Sequence, residues 1–590
     1  MQHIIARQVF ELSLRNSGEA FAVQQAVSRA FRDHAVPAME RLFDQYSTEE
    51  EWITIDRLEI HLGRISEAEW ASSAWLDRMI ESIKDALKQM LKNGAAGVEK
   101  KPLRVARFEQ WLYFLRHGRL PRHVVPAPEE EWRRLILAAL GTEMRILEQL
   151  ARLLRSNPEA LRRLVMQHPP QFLEHLVELF TGRKATGLFA VLSETGKAAQ
   201  AIAEMLTTGK PRRKLPPGVG AAFTELMEAL IAYEETSADP GMHDKGAADL
   251  WPSRSTLDAV RSARLLEIHC RQAVFRTLSQ SRSPYTADDL LQLVFRSGSL
   301  RDMLPLLVMA ANGKRNPYPE LKAFFKRAGF LPPAASARKP LDVKDTAAAD
   351  KKTGTKKRAP DADPETPAPK PGTERRALTD QPANIGQDRT GILREKLPEV
   401  SSGPATDPHS SRGTAGPADT AVESEALHTP VAGLVLLHPF LAMFFETVGL
   451  LEKRRFKDEW RRQKAAALLY YLATGETGAP EYDLVLPKLL CGIPLHTPLY
   501  REIELSEEEK AEAEDMLKAA IDNWGALGST SPDGLRGNFL VRDGKLTRTD
   551  LGRLLQVEAQ SYDLLLDRLP WGINMVKLPW MEDMLFVEWR

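Results

Sequence analysis

Residues 351–376 read KKTGTKKRAPDADPETPAPKPGTERR, a run of mixed charge, proline and alanine without one large apolar side chain. Such a run cannot bury enough apolar surface to offset the entropy lost on ordering it. The same character extends outward in both directions. No Phe, Trp or Tyr occurs between Phe330 and Phe440, and fourteen of the 39 prolines fall in residues 331–430. We read 331–430 as a disordered linker of Pro, Ala and charged residues. Its charges are of both signs, so KKTGTKKR at 351–358 reads as solvated tether rather than as a patch for an acidic partner.

The linker divides the chain, and each flank has its own pattern. Residues 1–65 predict a strand–helix–strand unit. Phe10, Leu12 and Leu14 alternate with Glu11 and Ser13. Residues 20–46 carry Phe21, Val27, Phe31, Met39 and Leu42 at helical spacing, with Pro37 expected to kink or restart the helix. ITIDRLEIHLG at 53–63 alternates again, with a phase change near Asp56–Arg57 that suggests a bulge. Residues 66–330 predict a helical region. Ser66 and Glu69 form a capping pattern, and helical segments follow near 104–117, 128–155, 158–181, 186–207, 219–235, 255–280 and 286–297. Residues 431–590 predict an α+β domain. Ser506 and Glu509 cap a helix, and Asp543–Gly544 sits between FLV and KLT as a hairpin turn. The fold class is therefore mainly α and multidomain.

Three apolar helix ends followed by glycine, at 108–121, 289–300 and 468–476, resemble one another and suit left-handed caps. Their spacing is irregular, so no solenoid is read from them.

Of 590 residues, 80 are Lys or Arg and 80 are Asp or Glu, a net charge of +0. That balance argues against a generally basic nucleic-acid binder. Two cysteines, Cys270 and Cys491, exclude a disulfide framework or a four-thiolate metal site within one chain. The first residues lack the pattern of a secretory signal. The most apolar run, GLVLLHPFLAMFFETVGLL at 433–451, carries His438, Pro439 and Glu446, which argue against a membrane span.

No reaction chemistry emerges. The GlyLys pairs at 196–197 and 209–210 lack the rest of a phosphate loop, and no HExxH occurs. His168 and His175 have no carboxylate placed to complete a metal site. Cys270 lies in an apolar helical stretch and Cys491 precedes a Gly–Pro turn, so both read as structural, as does His438 before Pro439. Acidic runs at 49–51, 129–131 and 507–509 sit at helix starts, where the helix dipole accounts for them. The expectation is no enzyme, no cofactor and no metal.

Both ends carry ordered strings of motifs: HIIARQVFEL at 3–12, AFAVQQAVSRAF at 20–31 and IDRLEIHLG at 55–63; then GLVLLHPFL at 433–441, LLYYLATGE at 468–476, LPKLLCGIP at 486–494, NWGAL at 523–527, SPDGLR at 531–536 and LPWGINMVKLPWM at 569–581. Together these resemble the tape measure proteins of phage-tail-like contractile injection systems. The resemblance implies a structural protein that helps set inner-tube length during assembly. It implies assembly in a bacterial cytoplasm and a place inside the finished particle. The implied partners are the inner-tube protein, the baseplate or hub and the tube terminator, with no nucleic acid and no membrane span; a homo-oligomer inside the tube is left open. It implies no catalytic residues. Its motif positions carry over as structural or docking positions: Asp56, Leu58, Glu59, Gly63, His438, Pro439, Phe440, Trp524, Gly525, Trp571, Pro579, Trp580 and Trp589. An adaptor or cargo-loading chaperone with two docking ends and a passive tether is the alternative. As one helix, residues 64–330 would span about 400 Å, and the linker about 300 Å if extended. Gly and Pro interrupt the helical pattern repeatedly, which fits a compact free chain better than a continuous rod.

Overall fold

A computed structural model describes residues 3–5, 8–13, 20–65, 69, 74–93, 97–121, 124, 126–207, 219–238, 259–281, 283–312, 317–331 and 426–589. The linker expectation for 332–425 and the capping pattern beginning at Ser66 fall outside these residues.

The N-terminal unit keeps its helix but differs in its strands. Helix α1 (Ala20–Ala30) runs through a five-residue π turn, Phe31–Ala35, into α2 (Val36–Asp44). Pro37 has no N–H to give to Asp33, and the ladder widens so that the Val36 N–H donates to Phe31 O. Val27, Phe31, Ala35, Met39 and Leu42 are buried and pack with Trp75, Met79, Ile83 and Leu87 of α3 (Ala74–Asn93). Residues 8–13 form no strand, against the expectation for Phe10–Leu14. The strand expected over 53–63 ends early. Strand β1 (Glu51–Ile55) pairs antiparallel with β2 (Val98–Pro102), and the Asp56 N–H closes the ladder on Gly97 O at 2.9 Å. Beyond it Leu58, Ile60, Leu62 and Ile65 lay their side chains on the helices. Their alternation is thus met by helix faces rather than by a sheet, and the phase change marks the strand's end instead of a bulge.

The helical middle is a set of short packed helices. They are α4 (Leu103–His117), α5 (Glu129–Thr142), α6 (Met144–Ser156), α7 (Pro158–Gln167), α8 (Pro170–Thr181), α9 (Leu188–Thr207), α10 (Val219–Ala238), α11 (Ala259–Gln280), α12 (Ala287–Arg296), α13 (Gly298–Ala311) and α14 (Pro319–Arg327). Breaks fall where the backbone must turn extended: Glu143 (φ −133°, ψ 119°) splits the expected 128–155 segment, and His168–Pro169 splits 158–181. Helix α9 lies along α11, and Gly196 permits the approach, since a Cβ there would stand 2.8 Å from Ala263 O.

Of the three glycine ends, Gly118 (φ 72°) and Gly475 (φ 75°) are left-handed caps. The third differs. Helix α12 ends at Ser297, whose hydroxyl donates to Val294 O at 2.7 Å, and Gly298 opens α13.

The C-terminal part builds a five-stranded sheet of order β3–β4–β5–β7–β6, from Leu427–Thr429, Gly544–Thr549, Gly552–Val557, Leu585–Trp589 and Met575–Val576. Of these pairings β5–β7 alone is parallel. Leu427–Thr429 lies inside the stretch read as linker, and it pairs with Gly544–Leu546. The hairpin turn falls at Asp550–Leu551, not at Asp543–Gly544. Gly544 is buried inside the ladder, where a Cβ would come within 2.5 Å of the Ala432 Cβ; it serves close packing rather than a turn. The capping box at Ser506 and Glu509 opens Glu507–Asn523 as expected. The apolar run at 433–451 becomes a 3-10 turn (Ala432–Leu437), helix α15 (His438–Thr447) and the start of a short strand. Among the described residues no helix is long and apolar enough to cross a membrane.

One contiguous apolar cluster runs from Phe108 through Phe325 and on from Leu427 to Trp589. The helical middle and the C-terminal part therefore share a single core.

Candidate functional site

Where the middle meets the C-terminal part, the interface contains charge. Helix α7 presents Arg163 and Gln167. A 3-10 turn, Glu481–Asp483, presents Glu481, and the next helix, α16 (Val485–Leu490), presents Lys488. The Arg163 and Glu481 side chains are fully buried and Lys488 is 1% exposed. Arg163 Nε donates to Glu481 Oε2 at 2.9 Å, and its terminal nitrogens donate to the Leu115 and His496 carbonyls. Lys488 Nζ donates to Glu481 Oε1 at 2.6 Å, Leu495 O at 3.0 Å and Thr497 O at 2.8 Å. Gln167 accepts from the Glu481 N–H at 3.1 Å and donates to Leu499 O at 2.7 Å. The ammonium thus uses all three of its donors, and both carboxylate oxygens accept. Burial pulls the Lys488 ammonium down to about 8, and Glu481 holds it from falling further.

Local sequence explains the geometry. Asn157 caps α7 by accepting from the Ala160 N–H at 2.8 Å, with Pro158 at the first turn, and this fixes the face that points Arg163 inward. Gly118 must lack a side chain twice over. Its φ is positive, and a Cβ would stand 2.4 Å from Glu481 Oε1 and 2.9 Å from Arg163 Nη2.

Aromatic rings surround the joint. Tyr482 stands edge-on to Phe114 and Trp132, at 5.5 and 5.8 Å between centroids. Trp111 Nε1 donates to His168 Nε2 at 2.9 Å, and burial holds His168 neutral, its pKa pushed down to about 3. Its distant neighbour His175 is exposed and bonds Gln171 O at 2.9 Å, so the two histidines do not converge. Arg501 pairs with Glu129. Beside them a cleft of about 300 Å³ is lined by Leu120, Tyr470, Tyr482, Asp483 and His428. Burial raises Asp483 to about 7, with Glu129 adding to the shift and Arg501 opposing it.

The sequence-chosen positions scatter over the fold. Asp56, Glu59, Gly63, Pro439, Gly525 and Pro579 are exposed; Glu59 pairs with Arg57, and Gly63 takes φ 66°. Leu58 packs on the N-terminal helices. His438 Nδ1 contacts Val435 O at 2.9 Å, and burial depresses its pKa. Phe440 meets Trp571 edge-on at 5.2 Å, and Trp571 Nε1 donates to Leu436 O at 3.0 Å. Trp524 is buried and donates to Leu565 O at 3.2 Å, Trp580 to Leu490 O at 2.8 Å, and Trp589 to Asp563 Oδ2 at 3.1 Å. The tryptophans therefore knit the C-terminal part to itself. None of the thirteen belongs to the joint. Arg163, Gln167, Glu481 and Lys488 escaped sequence reading, although a lone Lys inside the apolar run LVLPKLL at 484–490 was a usable sign.

Cys270 and Cys491 are free and fully buried, and burial raises both thiols well above their usual range. Among the described residues no group of three or more His, Cys, Asp or Glu is placed to hold a metal ion.

A helical body shares its core with a strand-containing C-terminal part, and a satisfied buried ion cluster fastens the two. This arrangement holds distant segments of the chain together. A family model described as contractile injection system tape measure protein matches residues 2–589, and the chain belongs to that family. Comparisons with curated proteins and with solved structures give no match.

Proposed function

We propose that the protein helps set inner-tube length while a contractile injection system assembles, as a structural part and not as an enzyme. The observation that carries this reading is the family match over 2–589. It would act beside the inner-tube protein, the baseplate or hub and the tube terminator, in the bacterial cytoplasm and then inside the particle. On this reading the exposed motif positions Asp56, Glu59, Gly63, Pro439, Gly525 and Pro579 are docking points, and Leu58, His438, Phe440, Trp524, Trp571, Trp580 and Trp589 hold the surfaces that present them.

The packing limits how length could be measured. A rod of residues 64–330 would need about 400 Å, whereas a compact body of some 500 residues has a radius of gyration of about 23 Å. The middle can act as an extended ruler only after its helices part from the C-terminal core. Parting them would uncover Arg163, Glu481 and Lys488.

The adaptor or cargo-loading reading is favoured by one observation. Residues on both sides of 334–416 belong to the same compact unit, so the length of that stretch does not fix a distance between separate ends. Looped out and back, the roughly 94 residues of 332–425 would reach about 150 Å at most as polyproline II.

Electron micrographs of particles carrying in-frame deletions decide between them. Tube length falling in proportion to deletions within 103–330 or 335–425 supports the ruler. Unchanged tube length across the series overturns it. Loss of assembly or of cargo on removing either end, with indifference to the tether, is the adaptor's result.

A further inference from the structure

The strongest unexplained feature is apolar surface gathered at the N-terminus. Ile4 (44% exposed), Ile5 (48%), Val9 (60%), Phe10 (40%), Leu12 (46%) and Phe21 (71%) are all exposed, whereas the remaining exposed large apolar residues are spread over the rest of the described chain. Taking about 200 Å² for each side chain, these six leave about 600 Å² uncovered, the upper end of what a monomer's largest apolar patch shows.

The segment that carries them lies along the first helices. His3 bonds Asp44 at 2.8 Å and stands edge-on to Phe43, while Phe10 stands edge-on to Phe31 at 5.3 Å. Phe10 thus rests residues 8–13 against the first helices, yet they form no strand despite their alternating pattern.

In the same unit, the sheet formed by β1 and β2 has two strands among the described residues. Two strands alone are marginal in water, and an unpaired edge is a template for a further strand. Trp52, Ile53, Thr54 and Ile55 are only half-buried, and among the described residues no backbone hydrogen bond joins 51–55 to a third strand. The described residues therefore include an alternating segment outside any sheet and a two-stranded sheet with an open edge.

We propose that the N-terminal unit is an interface between two copies of this chain, in which residues 8–13 of each copy pair with the open edge of the other copy's β1–β2 sheet. The exchange is reciprocal, each copy giving a segment and receiving one, as a two-fold interface requires. Two copies would bury about 1,200 Å² from these apolar side chains alone, which reaches the size of a stable specific interface. The inference rests on the packing of the N-terminal unit and stands apart from the tube-length reading.

The full chain should sediment as a dimer at tens of micromolar and dissociate on dilution. The paired substitution Val9→Lys with Leu12→Lys places charge on exposed side chains, so the helical circular dichroism and melting temperature should be unchanged. Dimer affinity should fall at least about a hundredfold. A second variant, Glu11→Cys with Thr54→Cys, should give a disulfide-linked dimer on a non-reducing gel. A wild-type chain that stays monomeric overturns the proposal. So does a dimer that survives the paired lysines, or an oxidised cysteine variant that runs only as a monomer.

Discussion

Replacing Glu481 by Gln tests whether the middle and the C-terminal part are fastened as one body. The substitution keeps the volume but removes the anion. It also sets an amide N–H against Arg163 Nε or Lys488 Nζ, both of which donate to Glu481 in the native chain. Arg163 cannot escape by losing its proton. Lys488 can, because burial already draws it down to about 8 and the group holding it up would be gone. Breaking a buried ion pair from one side costs about 3–5 kcal/mol. That is a factor of roughly 150 to 5,000 in the opening equilibrium. Hydrogen exchange on the full chain reads it directly. Amides of Pro158–Gln167 and Val485–Leu490 should lose at least about a hundredfold protection, while those of Ala74–Asn93, which pack in the separate N-terminal cluster, keep theirs. The triple change Arg163→Met, Glu481→Leu and Lys488→Met should recover only part of the loss: it removes the stranded charges but leaves the Leu115, His496, Leu495 and Thr497 carbonyls without their donors. Protection at both segments within about fivefold of wild type in Glu481→Gln would refute the reasoning.

Asp483 gives a pH-dependent counterpart. Its folded pKa is raised to about 7 from the ordinary aspartate value of 3.8, so the native state holds the proton more tightly; stability falls as pH rises from about 4 through about 7. Asp483→Asn should therefore stabilise by a few kcal/mol at pH 8 and by little at pH 4, read as the difference in urea midpoint at the two values. Gly118→Ala adds a left-handed strain of about 1–2 kcal/mol to a clash with Glu481 and Arg163, whereas Gly182→Ala, at φ 68° with nothing within 4 Å, meets the strain alone. Thermal melts should separate the two, and equal shifts would contradict the packing at Gly118. Cys270 and Cys491 should resist a thiol reagent in the folded chain and react together in denaturant, because both are buried with raised pKa values; stoichiometric labelling of the native protein would show that one of them opens.

Much of the architecture was legible. The helical middle, the capping box at Ser506–Glu509 and the glycine caps at Gly118 and Gly475 depend on residues within a turn or two of one another. The misreadings share a cause. Phe10, Leu12 and the residues past Ile55 alternate like strands, but a strand needs a partner, and partners are not local. Asp543–Gly544 has the composition of a turn, yet Gly544 is small because Ala432 crowds it from more than a hundred residues away. Leu427–Thr429 looked like the tail of the linker because three residues carry no period; only Gly544–Leu546 makes them a strand.

The sequence by itself determined the kind of protein this is. Ordered motifs at both ends and the break in composition between them are properties of the string, and they carried the family. The tertiary structure decided that the two flanks form one body. Arg163 and Glu481 lie 318 positions apart, and nothing in the neighbourhood of either announces the other. Each is a charge that would be costly to bury alone, and only the folded chain supplies the opposite charge that makes the burial tolerable.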